Sequence, residues 1–197
     1  MNHVPDRTTR TDEELVALTL SDQETFGEII KRYEERLKRY IRSISNCSAE
    51  DAEDLLQESF IKAYRNLNAF DQNQKFSSWI YRIVHNEVIS NFRKINARAE
   101  GHVNDVYENV FDSLMSDLDI RRDAEQNELR AQIREVLDKM DVKYREVLIL
   151  KFLEEKDYKE ISYILRKPMG TVATLINRAK KQFKKTAEDM NVNLQAV

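Results

Sequence analysis

Glycine and proline are scarce in this chain: Gly27, Gly101 and Gly170 are the only glycines, Pro5 and Pro168 the only prolines, in 197 residues. Sheets joined by tight turns need such residues, so the shortage disfavours β architecture and favours helices. Cysteine is rarer still. Cys47 stands alone, which rules out an internal disulfide and fits a reducing compartment. With only Arg42 as a nearby cation, Cys47 reads as a packing residue, not a low-pKa redox sensor. No apolar run approaches the ~20 residues that a membrane span requires. The N-terminus lacks the apolar core of a secretory signal. A cytoplasmic protein without membrane insertion is the expectation.

Charged residues make up 34% of the chain and hydrophobic ones 41%, a globular composition. The formal net charge of −3 excludes a uniformly basic nucleic-acid coat. The charges are segregated, however. Residues 161–187 hold seven Lys or Arg and no acid, whereas residues 98–127 hold eight acids and three bases. That split predicts a basic binding face and an acidic connector.

Residues 1–10 are polar and unpatterned and read as a disordered tail. Thr11 with Glu14, and again Ser21 with Glu24, have capping-box spacing. Phe26, Ile29, Ile30, Tyr33, Leu37, Tyr40, Ile41 and Ile44 then recur at helical period. Ser48 with Asp51 opens a helix whose stripe is Leu56, Phe60, Ala63 and Leu67. Ala69 to Lys75 reads as a loop, and Phe76, Ile80, Ile83, Val84 and Val88 mark a further helix. Residues 11–95 therefore make one helical bundle. Residues 96–128 form a flexible acidic linker, with a transient helix near Phe111 to Leu118. Residues 129–190 resume the helical pattern, first with Ile133, Val136, Leu137 and Met140, then with Tyr144, Val147, Leu148 and Phe152. The predicted fold class is all-α, two small helical domains.

Ile161, Ile164 and Leu165 sit on a short helix separated by Arg166, Lys167 and Pro168 from another, whose stripe is Val172, Ile176, Ala179 and Phe183. These are helix-turn-helix proportions, with Pro168 suited to the first turn of the second helix. The opposite face carries Thr171, Ala173, Thr174, Asn177, Arg178 and Lys181. Thr174 and Asn177 can read base edges, while Arg178, Lys180, Lys181 and Lys184 can hold phosphates. The plain alternative is a solvated basic helix end, favoured by the helix dipole.

In the first module Asp54, Gln57 and Glu58 fall on one face, off the Leu56/Phe60 stripe. An acid–amide–acid ridge suits docking on a basic partner; by itself it is equally an ordinary solvated face. No His lies near it, and its spacing matches no common metal site. Downstream, Lys75, Trp79, Tyr81, Arg82, Arg93 and Lys94 combine aromatic faces with cations, as capture of unstacked bases requires. The alternative makes Phe76 and Trp79 core anchors and Tyr81 a surface ring.

The run from Asp157 to Leu165, Pro168-Met169-Gly170-Thr171-Val172 and Arg178-Ala179 resembles region 4 of extracytoplasmic-function sigma factors, the module that reads the −35 promoter element. The segment Ala52 to Phe60 resembles their region 2.2, and Phe76 to Asn86 their regions 2.3 to 2.4. The resemblance implies that Asp54, Gln57 and Glu58 grip the coiled coil of the polymerase β′ subunit. It implies that Asn73, Gln74, Lys75, Trp79, Arg82, Asn86, Arg93 and Lys94 handle the −10 element, the loop holding an extruded base. Phe60 matches the family too, but its place on the apolar stripe makes it core packing. The partners implied are core RNA polymerase (β′ coiled coil and β subunit), promoter DNA and an anti-sigma factor. The acidic linker would thread polymerase channels that otherwise carry RNA. The chain departs from the family pattern at Ala173 and Leu175, where basic residues are usual, at Arg166 and Lys167 in the turn, and at Ser90, where an acid is common. Fewer cations imply weaker phosphate anchoring upstream.

The rival reading is a stand-alone helix-turn-helix regulator, which needs no Asp54/Gln57/Glu58 ridge and usually dimerises on a palindrome. No phosphate-cradling Gly-rich loop, Cys/His cluster or nucleophile elbow is present, so neither an enzyme, a metal nor a cofactor is expected.

Overall fold

Ile29, Tyr33, Leu37, Tyr40, Ile41 and Ile44 are all buried in the computed structural model, which describes residues 10–45, 47–98 and 124–192. They form the inner stripe of α2 (Phe26–Ser45), the helix around which the N-terminal unit is built. α1 (Asp12–Thr19), α3 (Ala49–Arg65) and α4 (Phe76–Arg98) pack against it, and α4 also packs against α1 and α3. α3 contributes Ala52, Leu55, Leu56, Phe60 and Ala63, and α4 contributes Phe76, Ile80, Val84 and Val88. Each large apolar side chain buried this way stabilises the unit by roughly 1.5–3 kcal/mol relative to exposure. Leu37, with no exposed surface, would cost about 2–5 kcal/mol on truncation to Ala.

Capping explains where the helices begin. Thr11 and Glu14 make the expected reciprocal box on α1, at 3.2 and 2.8 Å. Ser48 caps α3 by accepting from the Asp51 N–H at 3.0 Å. The box expected from Ser21 and Glu24 does not form. Asp22 accepts from the Glu24 N–H instead and opens a 3₁₀ turn, Gln23–Thr25, while the Ser21 hydroxyl donates to the Leu18 carbonyl. α4 is capped from afar: Glu13 of α1 accepts the Phe76 N–H at 2.8 Å across 63 residues. Its neighbour Asp12 accepts from Arg32 at 2.8 Å and from the Tyr33 hydroxyl. Burial and that acid push the Tyr33 phenol well up. α1 thus ties both longer helices by its acids.

The loop expected over Ala69 to Lys75 is more ordered than its polarity suggests. A 3₁₀ turn at Leu67–Ala69 precedes it and Phe70 is buried. Tyr81 is neither a surface ring nor a base-stacking one: it has no exposed surface and packs on Tyr40 with ring centroids 5.1 Å apart.

The C-terminal unit comprises α5 (Ala124–Asp138), α6 (Val142–Leu148), α7 (Tyr158–Leu165) and α8 (Met169–Asp189). The chain divides into two compact units, residues 1–110 and 111–197, and among the described residues there are eight α-helices and no strand. α4 runs to Arg98, past the boundary expected at 95, and α5 starts inside the stretch expected as linker. The N-terminal tail through Thr9 and the region of the expected Phe111–Leu118 helix lie outside the described residues.

α6 widens into a π-helical turn, Ile149–Leu153, which turns Phe152 and Leu153 outward at 54% and 63% exposure. Phe152 therefore does not join the buried stripe expected of it. Asp157 and Glu160 box the start of α7, each bond 2.8 Å. Arg166 ends that helix in the left-handed region at φ 51°, a position usually given to glycine; a side chain there costs about 1–2 kcal/mol. The wrap is closed by the Lys167 N–H donating to the Ser162 carbonyl and the Ser162 hydroxyl donating to the Lys167 carbonyl. Pro168 is the N-cap of α8, one residue before the helical turn expected for it, and its carbonyl accepts the Val172 N–H at 3.0 Å. α8 is long, not short, at 21 residues. Val172, Ile176 and Ala179 face inward, whereas Phe183 is only half-buried.

Candidate functional site

The outer face of α3 follows from its inner one. With Ala52, Leu55, Leu56, Ser59, Phe60 and Ala63 turned to the core, Asp54, Gln57 and Glu58 stand together in solvent. Phe60 is core, as expected. Next to the ridge, Glu53 meets Lys38 of α2 at 2.7 Å. The Lys38 hydrogen bond holds the Glu53 carboxyl below its usual range, and Glu53 in turn raises Lys38. Sequence reading missed Lys38 and Glu53, because the pair joins separate helices.

The face of α4 is assembled on an aromatic cluster. Phe70, Phe76 and Trp79 meet pairwise with centroids 5.3–5.6 Å apart, and Tyr33 adds an edge at 5.7 Å from Phe76. Phe76 is fully buried and Trp79 half-buried, so Trp79 both packs the unit and presents part of its ring. Trp79, Arg82, Asn86 and Arg93 recur at steps of three, four and seven residues along one side, spanning about 21 Å of helix axis. Arg93, Lys94 and Asn86 are exposed, and Arg82 and His85 half-buried. Behind this face Lys62 of α3 pairs with the buried Glu87. In the preceding loop Asp71 accepts from both the backbone and the side-chain N–H of Asn73, each at 3.0 Å. Asn73, Gln74 and Lys75 are all exposed there. The Glu13 cap fixes the junction between this loop and α4.

On α8 the expected face is outward: Thr171, Thr174, Asn177, Arg178 and Lys181 are exposed. Ala173 and Leu175 are half-buried, which reduces what Ala173 can offer a partner. The Thr174 hydroxyl donates to the Gly170 carbonyl at 2.9 Å, leaving its methyl and lone pairs outward. On another side of the same unit an apolar groove of about 390 Å³ is lined by residues including Ile133, Leu137, Ile149, Phe152 and Phe183.

Burial pushes the Cys47 thiol up, which disfavours thiolate chemistry. Among the described residues no three His, Cys, Asp or Glu side chains gather as a metal site would need, and no helix is long and apolar enough to cross a membrane.

Two family models match the chain: Sigma-70 region 2 over residues 29–98, and Sigma-70, region 4 over residues 130–183. The chain is 34% identical over 177 residues to the ECF RNA polymerase sigma factor SigW of Bacillus subtilis, spanning 86% of this chain and 92% of the relative. It is 28% identical over 160 residues to the ECF RNA polymerase sigma factor SigM of the same organism, spanning 81% and 93%. Among solved structures it resembles CnrH in complex with the cytosolic domain of CnrY, with a TM-score of 0.65 and 24% identity over 91% of this chain and 99% of that one. It also resembles the sigma factor RpoE in complex with the anti-sigma factor NepR from Bartonella quintana, with a TM-score of 0.65 and 18% identity over 83% and 96%. Those two likenesses are of fold. Two sigma regions in one chain leave the stand-alone regulator unsupported. This protein belongs to the ECF RNA polymerase sigma factors: it is a non-enzymatic transcription initiation factor that binds core polymerase and promoter DNA.

Proposed function

We propose that three faces of the chain divide the work of initiation. The α3 ridge of Asp54, Gln57 and Glu58 grips the β′ coiled coil. The loop and α4 face, with Asn73, Gln74, Lys75, Trp79, Arg82, Asn86, Arg93 and Lys94, recognise and melt the −10 element. The α8 face, with Thr171, Ala173, Thr174, Asn177, Arg178 and Lys181, reads the −35 element. Residues 11–95 and 129–190 are then the −10 and −35 modules, joined by the acidic linker.

The observation that carries the reading is the α3 ridge. Its acids and its amide are all exposed, and a Lys38–Glu53 ion pair stands beside them. The ridge's negative sign suits a basic helical partner. On α4, aromatic ring and cations share one side, as capture of a melted strand requires. On α8, short polar side chains precede the cations, so bases are met first and phosphates after.

The chain works in the cytoplasm, where polymerase and promoter are. The apolar groove of the C-terminal unit suits a helix of the β subunit. An anti-sigma factor holds the chain inactive by covering the polymerase- and DNA-facing sides; the neighbour RpoE is in complex with the anti-sigma factor NepR. A pull-down with purified core polymerase tests the central assignment. Wild type is retained and Glu58→Lys is lost from the beads; equal retention of both removes the ridge from the polymerase interface.

A further inference from the structure

We propose that Ile61 is the apolar anchor of the polymerase-docking ridge. This rests on the reading of Asp54, Gln57 and Glu58 as polymerase contacts and extends it to a residue that is neither charged nor polar.

Helical geometry places Ile61 where an isoleucine has no folding role. At 3.6 residues per turn, a residue seven positions on from Asp54 falls within about 20° of it around the axis. Gln57 and Glu58 lie on either side, one turn earlier. The core residues Ala52, Leu56, Ser59 and Ala63 all project to the opposite half of α3. Ile61 thus occupies the middle of the solvent-facing arc, and it is 44% exposed. A β-branched residue there gains nothing in helix propensity over Lys, Glu or Ala.

Its surroundings have the form of a binding centre. Asp54, Gln57, Glu58 and Arg65 ring it with polar groups, all exposed. Tyr64, 37% exposed, is held at the margin by its edge-on packing against Phe26, with centroids 5.2 Å apart and planes at 61°. A central apolar side chain within a polar rim is the arrangement in which truncation costs binding most. The occupant is the polymerase surface that receives Asp54 and Glu58: it presents basic groups to the acids and an apolar patch between them. Continuity of Ile61 with the ridge, on one helix and one face, is what assigns it to that partner. The acids would steer encounter and fix register, while Ile61 would supply desolvated contact that slows release.

The test is titration of core polymerase with fluorescently labelled full-length chain at low and high salt. Truncating a partly exposed isoleucine removes three carbons from the contact, so Ile61→Ala should weaken binding by roughly five- to tenfold. That factor should persist when salt is raised, because apolar contact is not screened. The loss from Glu58→Lys should shrink with salt. Ile61→Leu keeps apolar volume and should bind within about twofold of wild type, so a change in helix stability cannot mimic the pattern. If Glu58→Lys weakens binding while Ile61→Ala matches wild type, the ridge stands and the anchor falls. If Leu and Ala variants lose affinity equally, the apolar role falls too. If no variant changes affinity, the ridge and the anchor fall together.

Discussion

Replacing Glu13 with alanine removes the acceptor for the first N–H of α4, 63 residues away in sequence. The bond is 2.8 Å, its acceptor is a carboxylate, and the site is half-buried. A hydrogen bond to a charged group contributes roughly 1.5–3 kcal/mol net, and water reaching a half-buried N–H recovers part of that. The expected cost is about 1.5–2 kcal/mol. In a unit of this size, each kcal/mol moves the melting temperature by about 4–8 °C, so Glu13→Ala should melt roughly 6–16 °C lower. Glu13→Gln keeps an acceptor and loses only its charge, and should fall by about half as much. Circular dichroism melts of the full chain, following the N-terminal transition, read both variants. Open-complex formation should weaken as well, since the frayed turn adjoins Lys75 and carries Trp79. A Glu13→Ala chain that melts within about 2 °C of wild type would refute the long-range cap.

Other perturbations test the remaining parts. Lys62→Met leaves Glu87, 7% exposed, without its α3 partner; the partly exposed pair should cost about 1–2 kcal/mol in urea melts, and the Lys62→Met, Glu87→Leu double variant should recover most of it. Burial pushes the Asp138 carboxyl up to about 6, outweighing the Arg145 guanidinium 3.2 Å away. The folded chain then holds this proton more tightly than the unfolded chain, whose carboxyl titrates near about 3.9. Its stabilising contribution is fullest below that value and is lost as pH rises through about 6. The C-terminal transition should therefore shift upward between about pH 7.5 and 5.5, and Asp138→Asn should flatten that slope; a downward shift in wild type contradicts it. Arg178→Ala should weaken −35 binding evenly across sequences and lower the salt slope by about 0.9, and an unchanged slope removes Arg178 from the phosphates.

Much of the fold was legible because it is local. The α2 stripe from Ile29 to Ile44 follows a 3.6-residue period, and all the apolar residues the period names are buried except Ile30, which is half-buried. Thr11, Glu14 and Ser48 cap helices within three residues of themselves, so spacing sufficed. The failures came where a competing neighbour won. Asp22 took the cap from Ser21 because its carboxylate reaches the Glu24 N–H two residues on. Tyr81 lies on the inward side of α4 against Tyr40, a partner from another helix that no local pattern names. The ridge of Asp54, Gln57 and Glu58 could be placed on one face from spacing alone. The Lys38–Glu53 pair beside it, like the Glu13 cap and the pairing of buried Arg145 with Asp138, joins separate elements. Function came from motif wording that composition could not supply.

Run-off transcription with purified core polymerase on a library of genomic fragments tests the central claim most directly. Addition of the chain should produce discrete transcripts whose start sites share two upstream sequence elements at fixed spacing, and omission of either component should abolish them. Core polymerase that gains no promoter-specific product, with the chain folded and free of any inhibitor, would contradict its role as a dissociable specificity subunit.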